Sequence, residues 1–202
     1  MKDRETKKYL LEEFVKENEI RSSELEMAYK RYINLAPPSG GARAPQSAEI
    51  DFKTWVMVFN MEPTGQYRKL FKLYDVTGTG DAPGLDVDTQ RMDVREFMLG
   101  VANFVEWSLE PRTQFIFTLF DDDRSGFLSM DELVDVLKAN HMSSAKGVAK
   151  KAQTIMRQAD ADGSGTLTLD EFMVVAKKFP NLLFPAQKKR APETGVPQIT
   201  NG

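Results

Sequence analysis

The sequence has 202 residues, 41 % of them apolar, and a formal charge of −3. That is enough chain for one compact domain or two small lobes, and it lacks the basic excess expected of a nucleic-acid binder. There is no cysteine and a single histidine, His141; disulfides, thiolate metal sites and palmitoylation are excluded, and no nucleophile–base pair can be placed, so an enzyme is not expected.

The N-terminus, MKDRETKKYLLEEF, mixes both charge signs without an apolar signal core and has no Gly at position 2. No secretory leader and no myristoyl anchor are expected, and no stretch is apolar enough to span a bilayer, so the reading is cytoplasmic. Residues 3–19 carry Leu10, Leu11, Phe14 and Val15 on one stripe, which predicts an amphipathic helix that either packs on the body or forms a partner-binding arm. Ser23 and Glu26 have capping-box spacing ahead of a second helix with Leu25, Ala28, Tyr29, Tyr32 and Ile33 on one side. PPSGGARAPQS follows and cannot be helical. Ile50 and Asp51 then lead into Phe52, Trp55, Val56 and Phe59, again at helical spacing.

Pro63 breaks the chain and Thr64 caps a helix with Tyr67, Leu70, Phe71 and Tyr74. Asp75 starts DVTGTG, and RMDVRE appears only at Arg91 to Glu96, after ten extra residues, DAPGLDVDTQ. A helix with Phe97, Val101, Phe104 and Val105 follows. The connection from Glu106 to Glu110 is short, with Pro111 suited to the next first turn. That favours two lobes held against each other over two lobes on a long free helix.

Two twelve-residue stretches dominate the second half. Asp121 to Glu132 reads DDDRSGFLSMDE and Asp160 to Glu171 reads DADGSGTLTLDE. Asp121, Asp123 and Ser125, and likewise Asp160, Asp162 and Ser164, offer oxygens at positions 1, 3 and 5. Gly126 and Gly165 supply the sharp turn at position 6. Phe127 and Thr166 contribute a backbone carbonyl at position 7, Ser129 and Thr168 sit at position 9, and Glu132 and Glu171 can bind with both oxygens at position 12. An all-oxygen set of this size suits Ca2+ and crowds octahedral Mg2+. Three carboxylates per loop suggest affinity of roughly 10⁻⁷ to 10⁻⁵ M. Phe115, Phe117, Leu119 and Phe120 enter the first loop and Leu133, Val136 and Leu137 leave it, with Asn140 and His141 at the helix end. Ser143 or Ser144 caps the next helix, with Val148, Ala152, Ile155, Met156 and Ala159 as its stripe. Phe172, Met173, Val175, Ala176 and Phe179 follow the second loop. Leu128 and Leu167, both at position 8, are expected to pair and tie the two ion sites together.

Across about residues 24 to 179 the chain resembles the EF-hand superfamily, most specifically at Asp121–Glu132 and Asp160–Glu171. Four hands in two pairs, with the calcium-competent pair C-terminal, look like the calcineurin B and neuronal calcium sensor branch. The resemblance implies an all-α fold of paired EF-hands in two lobes, with short antiparallel β-bridges between paired loops. It also implies a non-enzymatic sensor or regulatory subunit that binds a partner's amphipathic helix in a hydrophobic groove. The expected divisions are an N-terminal helix or arm (1–22), a degenerate pair (23–106), a calcium-binding pair (107–180) and an apolar segment with a tail (181–202). In the first hand Ile50 is position 8, which puts Arg43 at position 1 and Thr54 at position 12, so no calcium is expected. In the second, 22 residues separate Asp75 from Glu96 inclusive where twelve are needed; no third site is expected, and its role is to pair Met92 with Ile50.

Leu182, Leu183 and Phe184 either cover the protein's own groove or dock on a partner. Residues 186–202 are expected to be disordered, with Lys188, Lys189 and Arg190 a solvated charge run rather than a targeting patch. Met130, Met142, Met156 and Met173 would give a groove an adaptable lining, although methionine at helical spacing is more often core. A calcium-responsive regulatory or adaptor subunit is the leading expectation. A structural subunit stabilised by calcium and a calcium buffer are the alternatives. Calcium is expected to act on the C-terminal lobe and leave the N-terminal lobe a fixed platform.

Overall fold

In the computed structural model, helix α1 (Lys2–Glu17) is part of the core and not an outlying arm. Leu11 and Phe14 are buried, and the Phe14 ring meets Trp55 at 5.8 Å, Phe59 at 5.4 Å, Tyr67 at 5.7 Å and Phe97 at 5.3 Å between centroids. These are stacked and edge-on distances, at which ring quadrupoles attract beyond simple burial. The helix stops where Asn18 Nδ2 donates to the Phe14 carbonyl at 2.8 Å and to the Tyr67 hydroxyl at 2.9 Å, and Glu19 turns left-handed at φ 49°.

The structure describes residues 2–35, 48–77, 89–141 and 145–180. The Pro/Gly-rich segment with Arg43, most of the 81–90 insert, Met142, the Ser143 or Ser144 cap, and the C-terminal segment with its tail lie outside these residues.

Helix α2 (Ser22–Leu35) starts earlier than the Ser23/Glu26 spacing predicts. Leu25 N–H donates to the Arg21 carbonyl, and Glu24 Oε2 reaches back to Arg21 N–H at 3.0 Å while accepting from the Ser23 hydroxyl at 2.9 Å. The cap is therefore Arg21 with Glu24. Leu25, Ala28 and Tyr32 are buried, as the predicted apolar side requires. Strand β1 (Glu49–Ile50) leads to α3 (Phe52–Phe59), capped by Asp51, whose Oδ1 accepts from Thr54 N–H at 2.8 Å. Thr64 caps α4 (Gly65–Lys72). Strand β2 (Met92–Asp93) pairs antiparallel with β1, with Ile50 opposite Met92, and opens α5 (Val94–Ala102).

The second half repeats the plan with α6 (Leu109–Phe120), α7 (Met130–His141), α8 (Ala145–Ala159) and α9 (Leu169–Lys178). The single bridge Leu128–Leu167 takes the place of the strands. The result is an all-α fold of paired helix–loop–helix units joined by short antiparallel bridges.

The two halves share one continuous cluster of buried apolar side chains. Trp107, in the short link between α5 and α6, donates its indole N–H to the Ala102 carbonyl at 3.2 Å and packs on Phe115 at 5.2 Å. Tyr29 of α2 meets Phe115 edge-on, and its hydroxyl donates to the Thr118 carbonyl at 2.9 Å. The strongest polar link is Arg95 of α5. Its guanidinium lies over the Phe120 ring and pairs with Asp93, with Asp122 and, at 3.9 Å, with Asp135. Only 10 % of the Arg95 side chain is exposed, so these carboxylates are the compensation its burial requires.

Phe14→Ala is expected to lower unfolding free energy by about 3–5 kcal/mol in a denaturant titration; a loss below about 1 kcal/mol would place α1 outside the core. Arg95→Met keeps much of the apolar stem but strands Asp122. It is expected to cost about 2–3 kcal/mol, less than a fully buried pair, because the carboxylates stay partly hydrated. Stability unchanged by this substitution would remove Arg95 as the link between the halves.

Candidate metal centres

Helix α6 ends at Asp121, whose N–H still donates to the Phe117 carbonyl. The chain then turns through two left-handed residues, Arg124 at φ 55° and Gly126 at φ 81°. The second loop does the same with Gly163 at φ 72° and Gly165 at φ 81°. Position 6 is glycine in both loops, as that conformation favours. Position 4 is also left-handed, a requirement the sequence pattern leaves unstated, and Arg124 meets it with strain that Gly163 avoids.

The backbone of each turn points its N–H groups at the first aspartate. Ser125 N–H donates to Asp121 Oδ1 at 2.9 Å and to Asp123 Oδ1 at 3.0 Å, and Gly126 N–H donates to Asp121 Oδ2 at 2.9 Å. Ser164 N–H donates to Asp160 Oδ1 and Asp162 Oδ1, both at 3.0 Å, and Gly165 N–H to Asp160 Oδ2 at 2.9 Å. The position-5 hydroxyls reach the position-7 carbonyls, Ser125 to Phe127 and Ser164 to Thr166, each at 3.2 Å. Phe127 itself is exposed, in keeping with a residue that contributes only backbone.

Each glutamate closes its loop from the first turn of the exiting helix. Glu132 Oε1 accepts from Asp122 N–H at 2.9 Å, and its Oε2 accepts from Ser129 N–H and hydroxyl, both at 2.8 Å. Glu171 Oε1 accepts from Ala161 N–H at 2.8 Å, and its Oε2 from Thr168 N–H and hydroxyl, both at 2.9 Å. Ser129 and Thr168 thus hold the glutamates, and Thr168 with Glu171 forms a complete capping box. In each loop the three carboxylates, Asp121, Asp123 and Glu132 or Asp160, Asp162 and Glu171, have oxygens all within 4.8 Å of one another. Two reciprocal N–H to carbonyl bonds of 2.8 Å between Leu128 and Leu167 join the loops.

Burial and hydrogen bonding act on these carboxylates in opposite directions. Burial pushes the Asp121 carboxyl up, and the neighbouring Asp123 and Glu132 push it further, while backbone N–H groups pull the other way. The Ser125 hydroxyl holds Asp123 below the usual carboxylate range, and the Ser164 hydroxyl does the same for Asp162. Backbone N–H groups of Thr168 and Ala161 lower Glu171. The donor set is hard oxygen throughout, fits Ca2+, and would present Asp121, Asp123, Ser125, the Phe127 carbonyl and Glu132, and their counterparts in the second loop.

Among the described residues these are the only two such clusters. Thr54 of the first hand carries no carboxylate. In the second hand Asp75 Oδ1 accepts from Thr77 N–H, the Thr77 hydroxyl and Arg91 N–H at 3.1, 2.7 and 3.3 Å, and Glu96 pairs with Lys7. Two residues missed in the sequence sit beside the first loop. Asp122, at position 2, is held by Arg95 across the halves; burial raises its carboxyl and Arg95 draws it down. Tyr29 lines a cleft of about 500 Å³ with Lys30, Ile33, Thr118, Asp121 and Arg124. Neither has a local sequence signal, since both act across the fold. Met156 is buried and Met130 and Met173 are half-buried, so these methionines line the core more than a surface.

Residues 110–177 match the family described as an EF-hand domain pair. Over 152 residues the chain is 28 % identical to troponin C, isoform 2, of Caenorhabditis elegans, covering 72 % of this chain and 84 % of that protein. It is 26 % identical over 167 residues to the calcineurin B subunit of Schizosaccharomyces pombe, covering 81 % and 86 %. It is 24 % identical over 166 residues to guanylyl cyclase-activating protein 1 of Lithobates pipiens, covering 79 % and 73 %. Residues 110–177, with their bridged acidic loops, thus match an EF-hand domain pair, and the chain as a whole is similar to calcineurin B subunits, troponin C and a guanylyl cyclase-activating protein.

Proposed function

We propose that the protein is a calcium-responsive regulatory or adaptor subunit that binds two Ca2+ ions, one at Asp121, Asp123, Ser125, Phe127, Ser129 and Glu132 and one at Asp160, Asp162, Ser164, Thr166, Thr168 and Glu171. The observation that carries this reading is that both loops hold three carboxylates within one ion's reach and are hydrogen-bonded to each other. Calcium would offset the repulsion among these carboxylates, most of all at Asp121, which burial and its acidic neighbours push up. Glu132 and Glu171 lie in the first turns of α7 and α9, so their grip on an ion bears directly on the helix directions. The Leu128–Leu167 bridge makes ordering of one loop favour ordering of the other.

The output is binding of a protein partner through an amphipathic helix in the cytoplasm. Two relatives are named as a subunit of another protein and as an activator of one, and that likeness supports a regulatory role. The cleft beside α2 adjoins Asp121, so a partner seated there would feel the state of the first loop. No helix among the described residues is long and apolar enough to cross a membrane. A second reading, a permanently assembled structural subunit, draws support from the core shared by the two halves, which gives calcium a stabilising role without large rearrangement.

Calcium titration by calorimetry is expected to give two ions for the wild type and one for each of Glu132→Gln and Glu171→Gln. A third ion, or no change in either variant, would overturn the assignment. Partner capture is expected to fall at least about tenfold when calcium is chelated, a coupling of order 1.4 kcal/mol. Equal capture in calcium and chelator would replace the sensor reading with the structural one.

A further inference from the structure

The glutamate that closes the second hand has been taken up by another element. Glu96 lies in the first turn of α5, the same place that Glu132 and Glu171 hold in their helices. Those two accept the N–H of loop position 2, from Asp122 and Ala161. In the second hand that N–H belongs to Val76 and donates to the Arg91 carbonyl at 2.8 Å instead. Glu96 Oε1 turns to α1, where the Lys7 ammonium meets it at 2.7 Å. The same ammonium lies 3.6 Å from the centre of the Tyr74 ring, a cation–π distance. Lys7 is 8 % exposed, a degree of burial that lysine tolerates only with its charge compensated.

The surrounding packing fixes this arrangement. One turn along each helix from the Lys7–Glu96 pair, Leu11 faces Gly100. A Cβ on Gly100 would meet the Tyr74 hydroxyl at 2.8 Å and Leu11 Cδ1 at 3.0 Å. Glycine there lets α1 and Tyr74 close on α5, which brings the ammonium to the carboxylate. We infer that Lys7 is the built-in cation of the second hand: it holds the position-12 glutamate on α1, excludes a divalent ion from Glu96, and fastens α1 to the hand independently of calcium. Lys7 thus takes, from outside the loop, the place beside the position-12 glutamate that a cation would otherwise fill.

The test compares Lys7→Met, Glu96→Gln and the double variant in the full chain. Methionine keeps the apolar stem over Tyr74, and glutamine keeps the side chain's shape. Each single variant is expected to lower the melting temperature in chelator by about 3–8 °C, with the double variant no lower than the worse single. Calcium titration of Glu96→Gln is expected to give the same number of bound ions as the wild type. Loss of one bound ion in Glu96→Gln would show that Glu96 serves a metal. Fully additive or absent melting shifts would show that the pair does not act as a unit. Either result overturns the inference. Because the comparison is with the wild type's own ion count, it does not depend on how many ions the other hands bind.

Discussion

The glutamate that closes a helix–loop–helix unit from the first turn of its exiting helix is held by N–H groups or by positive charge, and how it is held distinguishes three of the four hands. The helix dipole helps at this position but does not compensate a charge that also faces a crowded loop. In α7 and α9 the answer is local. Each glutamate gathers the N–H of position 2 and the N–H and hydroxyl of position 9, which closes the loop and aims the remaining carboxylates at one point. In α5 the answer is an ammonium from α1. In α3 the question does not arise, because Thr54 stands where the others have glutamate. The same backbone plan therefore yields two acidic clusters that could hold an ion and one charge-paired strut.

The second consequence concerns how the halves communicate. Arg95 begins in the hand that pairs with Lys7, one residue before Glu96, and ends on Asp122 inside the first acidic loop. Its neighbour in sequence points to α1 and it points to the loop, so α5 is gripped on two sides by opposite charge pairs. The expectation that the N-terminal half stands apart from calcium meets a direct physical connection here. Any shift of Asp122 is felt by α5, and α5 contributes Phe97, Met98, Leu99 and Val101 to the buried core.

The acidic loops were legible in the sequence because each position in them has its own local job. A left-handed turn asks for glycine, a helix start asks for a capping hydroxyl, and a bidentate ligand asks for glutamate. The Thr64 cap follows from the same kind of short-range rule, and the Ile50–Met92 pairing from the resemblance to paired EF-hands. Less legible was anything decided by distant packing. The second helix starts at Arg21 with Glu24 reaching back to it, two residues ahead of the Ser23/Glu26 spacing, and that start was hidden because Arg21 is no ordinary capping side chain and only its backbone takes part. The role of α1 turned on where Phe14 goes, and its stripe was equally compatible with a partner. Lys7 and Glu96 are 89 residues apart, and Arg95 and Asp122 are 27 apart; each reads alone as an ordinary surface charge.

The short link from Asn103 to Ser108 shows what this mode of assembly means for handling the protein. Trp107 anchors it to the Ala102 carbonyl and the Phe115 ring, and Arg112 donates to the Asn103 side chain. A protease needs several residues of backbone to peel free into an extended strand before it can cut. Here the segment between the halves is pinned at both ends, and the apolar core continues beneath it. Digestion of the native protein should therefore spare this junction.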